Sequence, residues 1–347
     1  MIDYIIVGQG LAGTILHRKL TLAGQHVVCI DDGHKQSSSK IAAGMVNPIT
    51  GRKYVKSWRI EDFLPVARKT YADLSALLGQ ELERDVVIHR ALYSIKDENI
   101  WHGRKEDPRA SQFILEGADT AVYADTIKNV LSYGSLAGLQ VDLTLLIDSY
   151  RAHLQKDGQI LEEAFAPDRL SASDQSIQYG DYTAKGIVFA EGARAVTNPL
   201  WNMLPFEPVK GEVLLVRIEG DPFPDVLRHK MFITPFRDDL YWIGSGYERE
   251  YTDGNPTSEG RDRLVGQLAD VLTLPYEIVE HIAGIRPSVR GRKPFLGHHP
   301  QQPNTFIFNG MGTKGTSLAP YWAEHMVAYL LEGTELDMEV DIRRFLP

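Results

Sequence analysis

One cysteine, Cys29, is all the thiol chemistry in a chain of 347 residues. An internal disulfide and a cysteine-based zinc cluster are both excluded. Cys29 sits inside the apolar run Val27–Ile30, where a small buried hydrophobe is the natural reading, so a cofactor tethered through cysteine is not expected. No apolar run approaches the ~18 residues of a membrane helix. No charged segment with an apolar one behind it opens the sequence; the chain reads as a strand from residue 2, and residence in the cytoplasm is the expectation. Positive charge is scarce: 37 Lys and Arg face 46 Asp and Glu, for a net charge of −9. A nucleic-acid binder needs a basic footprint, so no nucleic-acid partner is expected, and no metal site is either. What remains, 43% hydrophobic and 24% charged, is ordinary globular material. The length exceeds one comfortable core and argues for two domains.

The first thirty residues carry the clearest chemistry. Tyr4–Val7 is a short apolar run of the buried parallel-strand type. It ends in Gly8-x-Gly10-x-x-Gly13, and helical spacing follows from Thr14 to Ala23, closed by Gly24. A second apolar run, Val27–Ile30, stops at Asp31-Asp32. Gly8 permits the tight turn, Gly10 lets backbone approach a diphosphate, and Gly13 lets helix and strand pack closely. The helix start, with Leu11 and Ala12, offers free N–H groups and a positive dipole end. An acid about 20 residues on accepts from a ribose hydroxyl, and Asp31 stands at that strand tip. Strand, turn, helix, strand and acid in register predict a dinucleotide site.

Further along, a polar loop with Ser37, Ser38 and Ser39 leads into Lys40-Ile41-Ala42-Ala43-Gly44-Met45, whose small residues suit close approach to a flat ligand. Arg52, Lys53 and Lys56 form a small basic cluster, divided between a solvated surface and a substrate-facing role. Apolar spacing predicts helices over 61–78, with Pro65 in the first turn, and over 143–154. Residues 96–110, dense in charge, read as a loop. From Pro205 the pattern changes to alternating strands: 209–216, then a hairpin of 231–234 and 240–244 around Arg237-Asp238-Asp239. A helix over 261–272 is expected, with Ser258 as its cap. His298 and His299, in a Pro-bounded loop, read as solvent-facing.

The end repeats the opening pattern. Thr305–Phe308 is a strand, and Gly310-Met311-Gly312-Thr313-Lys314-Gly315-Thr316 is a Gly-rich turn. A helix stripe of Leu318, Trp322, Met326 and Leu330 follows, with Ser317 as candidate cap and Gly333 as its end. In a doubly wound sheet both glycine turns can face one crevice. A second helix N-terminus there favours an anion, which suits a ring that gains negative charge on reduction and points to a flavin rather than nicotinamide.

Taken together, the motifs resemble the D-amino-acid oxidase superfamily of FAD-dependent oxidoreductases, nearest its glycine oxidase and sarcosine oxidase branch. The resemblance rests on Gly8-x-Gly10-x-x-Gly13 with Asp31; on Ala42-Ala43-Gly44-Met45 with Pro48; and on Pro208-Val209-Lys210-Gly211-Glu212. It continues through Ile233-Thr234-Pro235, Gly284-Ile285-Arg286-Pro287 with Pro294-Phe295-Leu296-Gly297, and Gly310 to Gly315 with Leu318-Ala319-Pro320. It implies an α/β (α+β overall) fold: a discontinuous Rossmann-like FAD-binding domain over 1–56, 138–200 and 283–347, and a mixed or antiparallel-sheet substrate domain over 57–137 and 201–282. It implies non-covalent FAD and a small amine or amino acid as substrate. Hydride would pass from the α-carbon to flavin N5, and the imine would hydrolyse to an oxo acid. That chemistry leaves the eleven histidines without a catalytic role. Two readings stay open within the fold, a 2-hydroxy-acid dehydrogenase with a non-oxygen acceptor and a tRNA-modifying oxidase. Outside it stand a nicotinamide dehydrogenase and a non-catalytic flavin binder.

Position by position, the resemblance makes Gly8, Gly10, Leu11, Ala12, Gly13, Asp31 and Asp32 cofactor residues. It adds Ser38, Lys40, Ala42, Ala43, Gly44, Met45 and Gly192, and at the far end Arg286, Gly310, Gly312, Thr313, Lys314, Gly315 and Thr316. Arg286 falls where the family grips the substrate carboxylate, and a planar fork suits that bidentate task. Lys314 lies where positive charge would stabilise a reduced flavin. The chain also departs from the branch. Phe232 stands where glycine oxidases tend to carry a tyrosine, Thr313 where they have a second arginine, and Ser317 where sarcosine oxidases use a lysine. Met45, Phe232, Thr313 and Tyr241 complete the expected substrate residues, with Arg52, Lys53 and Tyr241 as candidates for replacing the missing carboxylate contacts.

Overall fold

A computed structural model describes residues 2–33, 37–51 and 53–346; of the basic cluster expected at 52–56, Arg52 lies outside them. The opening run forms β1 (Ile2–Val7), helix α1 (Leu11–Leu22) and β2 (Val27–Ile30). β1 pairs in parallel with β2 on one side and with Tyr182–Phe189 on the other. That second strand pairs in parallel with Thr305–Asn309. Strand order therefore reverses at β1, and a crevice opens at its carboxyl end. Side chains alternate along a strand, so Tyr4 and Ile6 enter one core and Ile5 and Val7 another. Burial on both faces is why the run reads as continuously apolar. α1 packs along the helix Gly315–Glu332, with Ile15 and Leu16 in the same cluster as Leu318 and Trp322.

A second, mixed sheet stands beside the first. Its path runs from Tyr276–Arg286 through Val209–Ile218, Tyr241–Gly244, Met231–Pro235 and Val226–His229 to Glu83–Leu92, Ser132–Val141 and Met45–Val46. Most neighbours are antiparallel; Val226–His229 and Glu83–Leu92 run parallel. The Ser258–Ala269 helix and the Tyr123, Phe223 and Tyr241 rings fill its outer core. The expected hairpin at 231–244 is present.

Local departures from the sequence reading have plain causes. Residues 96–110 are helical, not a loop: Ile95–Lys105 and Pro108–Ser111. The Ser94 hydroxyl caps the first by accepting from Asp97 N. Asp97 and Glu98 occupy its first turn and Arg104 and Lys105 its last, the arrangement the helix dipole favours, and buried Trp101 anchors it. Thr257, rather than Ser258, caps the later helix through Gly260 N. The last helix starts at Gly315, so Ser317 lies inside it and donates to the Lys314 carbonyl. Pro65 sits in the second turn of Ile60–Leu78, not the first. His299 is buried, accepting from Gln301 N and Gln302 N at Nδ1 and facing the Leu200 carbonyl through Nε2; it is not solvent-facing. Cys29 is buried, and burial pushes its thiol well above the ordinary range.

Candidate active site: one cavity between the sheets

A cavity of about 840 Å³ runs between the two sheets, and both glycine turns stand on its wall. The first turn is glycine by necessity. Gly8 has φ +99°, and a Cβ on it would lie 2.7 Å from the Ala190 oxygen. A Cβ on Gly13 would come within 1.8 Å of the Gly8 oxygen, so Gly13 serves helix–strand packing and stays off the wall. Gly10 precedes α1 with only serine hydroxyls beside its missing Cβ. Leu11 and Ala12 follow on the wall, and Leu11 N donates to Ser39 Oγ at 3.1 Å.

Asp31 faces the cavity with its carboxylate fixed from three sides. Gln9 N donates to it at 2.8 Å, Gly33 N at 2.7 Å and Arg151 Nη1 at 2.8 Å. Sequence reasoning missed Arg151, because helix Leu143–Lys156 approaches β2 only through the fold. Asp32 instead points to a smaller adjoining cavity and pairs with Arg194 at 2.8 Å. Glu191 lies on both walls. It accepts from Asn198 Nδ2 at 2.8 Å, and burial raises its carboxyl to about 7.

The Ser38–Met45 segment crosses the cavity between the sheets. Gly44 has φ +68°, and its missing Cβ would meet the Val141 oxygen at 1.8 Å. Gln140 donates to the Ala43 carbonyl, and Trp242 Nε1 to the Ile41 carbonyl at 2.8 Å. Ser38, Ala42, Ala43, Gly44 and Met45 line the cavity, but Lys40 pairs with Asp148 at 2.6 Å and does not. At the far turn Gly312, Thr313, Lys314, Gly315 and Thr316 are on the wall, as is Gly192. Gly310 is not; its φ of +78° shapes the turn against Val289. Lys314 donates to Ser57 Oγ at 3.2 Å, and burial with nearby Arg292 lowers its ammonium pKa.

Arg286 ends the strand Tyr276–Arg286 with its guanidinium lying over Gly211, where a Cβ would sit 2.0 Å from Nη2. Nη1 donates to the Gly246 carbonyl at 3.1 Å and Nη2 to the Ser245 hydroxyl. These partners, also missed, follow directly on the expected strand 240–244. Among the described residues no carboxylate lies within ion-pair distance of this guanidinium, and burial lowers its pKa. Phe232, Trp242 and Tyr247 supply apolar wall nearby. Tyr241, expected at the site, is buried in the outer core: its hydroxyl donates to Asp221 and accepts from Phe223 N at 3.0 Å. Lys53 is exposed, and Lys56 pairs with Glu61.

A diphosphate-type helix terminus, an acid at the second strand tip, and a long cavity closed by a second glycine turn define a nucleotide-dependent oxidoreductase fold. The residues fit FAD. Gly10 leaves the α1 terminus open, Gly44 and Gly284 let the 38–45 segment pack closely between the sheets, and Lys314 presents a cation at the other end. Comparison with known proteins agrees. The family model described as "FAD dependent oxidoreductase" (DAO) matches residues 3–329, and the chain belongs to that family; FAD is its cofactor. Glycine oxidase from Pseudomonas aeruginosa is 24% identical over 95% of this chain and 95% of its own. Glycine oxidase from Pseudomonas putida is 26% identical over 95% and 94%. The crystal structure of glycine oxidase from Bacillus cereus superposes with a TM-score of 0.79 at 18% identity, covering 96% of both chains. Among the described residues no helix is long and apolar enough to cross a membrane, and no three His, Cys, Asp or Glu gather as a metal site.

Proposed function

We propose that this enzyme oxidises a small carboxylate-bearing amine or amino acid, with Arg286 as the carboxylate anchor. The observation that carries the reading is the Arg286 guanidinium, half-buried on the cavity wall and given only neutral partners by its own chain. A desolvated cation without a carboxylate is costly unless a ligand supplies one, and Arg matches a carboxylate bidentately. The relatives named glycine oxidase support the substrate class.

In this reading the N-terminus of α1 would hold the diphosphate of FAD, Asp31 and Gly192 would serve its adenosine, and Ala42–Met45 with Gly312–Thr316 would hold its ring. Bound FAD supplies the hydride acceptor for the substrate α-carbon. The chain's own residues do the rest. Arg286, locked by Ser245 and Gly246, orients the α-carbon; Phe232, Trp242 and Met45 exclude water; Lys314 holds positive charge beside the ring site. No side chain on this wall is needed as a base, since a neutral amine that gives up hydride becomes an iminium, which loses its proton to water as it hydrolyses. The FAD domain is assigned 1–56, 138–200 and 283–347, and the remainder forms the substrate side.

Purified protein should be yellow, release free FAD on denaturation, and gain thermal stability from FAD but not NAD. With amino acids, N-alkyl amino acids and 2-hydroxy acids as substrates, flavin reduction by amines alone is the expected result. Arg286→Gln should raise KM by about 30-fold or more with FAD still bound. Reduction only by hydroxy acids, or a colourless protein indifferent to FAD, refutes the reading.

A further inference from the structure

The face of the second sheet that roofs the cavity carries more cation than one carboxylate needs. Cross-strand partners share a face, and one row can be followed across five strands. Arg90 pairs with Arg228, Arg228 with Phe232, Phe232 with Gly244, and Gly244 with Val213. Phe232 and Val213 line the cavity. Arg228 and Arg90 therefore continue the cavity roof outward past Phe232.

Their surroundings are specific. The Arg228 guanidinium lies 4.9 Å from the Phe232 ring centroid, and among the described residues no side chain or carbonyl accepts a hydrogen bond from it. Arg90 lies 4.6 Å from the Tyr54 ring and donates to the Gly51 carbonyl at 2.7 Å, next to Thr50 on the cavity wall. Neither has a carboxylate within ion-pair distance among the described residues. Asp97, the acid that weighs on Arg90 from a distance, is spent on Tyr93 N and the Ser94 cap. Asp225 likewise serves Val87 N and His89. Burial and the neighbouring Arg90 lower the Arg228 pKa to about 10. Like charges directly opposite on adjacent strands repel, and aromatic faces only partly replace water around them. Two half-buried arginines in register, both without acids, make a site for an anion from outside.

We propose that Arg228 and Arg90 bind a second anionic group of the substrate, so that the amine oxidised here carries a carboxylate at Arg286 and a further carboxylate or phosphate at its far end. This rests on the function proposed above. The spacing sets the size. Arg286 lies over Gly211, and Arg228 rises three strands away and offset by two residues, its guanidinium leaning over Phe232 one strand nearer, so strand geometry separates the two positions by roughly 12–16 Å. A flexible chain of several carbons bridges that span; glycine does not.

The test uses the FAD-loaded enzyme and inert ligands, read by calorimetry and by flavin difference spectra. Glutarate, adipate and pimelate are compared with monocarboxylates of the same length, and ω-phosphono acids separate the two anion types. The dianions should bind about tenfold or more tighter than their monoanions. Arg228→Gln and Arg90→Gln should each remove about tenfold of that preference and leave the monocarboxylates within about twofold, while Arg228→Lys keeps part of it. Equal affinity for mono- and dianions, or equal losses for both in the two variants, overturns the proposal. Should Arg286→Gln leave every carboxylate bound as before, the reading of Arg286 falls instead. The two failures are thus distinct.

Discussion

Substituting Gly211 by alanine tests the carboxylate anchor without removing it. A Cβ on Gly211 would sit 2.0 Å from Nη2, 2.4 Å from Cζ and 2.6 Å from Nη1 of Arg286. Ordinary contact needs about 3.5 Å, so the guanidinium must retreat by more than an ångström. The atoms struck are the far end of a flexible side chain rather than backbone, so the fold can absorb the change by rotamer adjustment, at about 1 kcal/mol. Catalysis cannot absorb it. Displacement by about 1 Å costs on the order of 100-fold when a group positions the reacting atom, equivalent to about 2.7 kcal/mol of transition-state binding. The expected outcome for Gly211→Ala is therefore a kcat/KM lower by about 100-fold with FAD content unchanged and Tm lowered by only about 1–2 °C. Steady-state oxidation of the best amine, FAD absorbance and a thermal melt measure the three quantities. Wild-type kcat/KM in a folded, FAD-loaded Gly211→Ala enzyme would refute the placement of the substrate carboxylate at Arg286.

Other positions give independent checks. Gly44→Ala combines φ +68° with a Cβ 1.8 Å from a backbone oxygen; it should cost about 3 kcal/mol or more and cut FAD retention, seen as a lower melt and a paler protein. Asp31→Ala leaves Arg151, Gln9 N and Gly33 N without their acceptor and should weaken FAD binding by about 10- to 100-fold, measured by titrating apoprotein. Glu191 has its carboxyl raised to about 7 by burial. Its folded form holds the proton longer than its unfolded form, so stability falls as pH rises from the unfolded value of 4.5 toward 7 and stays reduced above. Glu191→Gln removes that loss. The melting temperature of the variant apoprotein relative to wild type should climb between pH 4.5 and 7, and a pH-independent difference would count against a raised carboxyl.

Sequence alone determined the two glycine turns and the strands and helices that carry them, because those constraints are local. Gly8 needs a positive φ, Val27–Ile30 needs burial on both faces, and the Leu318–Trp322–Met326 stripe needs a helix. The same logic fails where charge is dense. Ile95–Lys105 is a helix because its caps, its dipole-matched ends and the single anchor Trp101 outweigh its polar composition. Position in the fold, by contrast, was a tertiary decision. The reversal of strand order at β1 brings Gly8, Gly10, Leu11 and Ala12 and residues 312–316 to one cavity, and helix Leu143–Lys156 lends Arg151 to Asp31. Strand register then sorts side chains of equal chemical type. It turns Tyr241 into the outer core, sets Arg286 over Gly211, and aligns Arg90 with Arg228 beside the cavity roof. A sequence states which groups are present; only pairing between distant strands states which of them face each other.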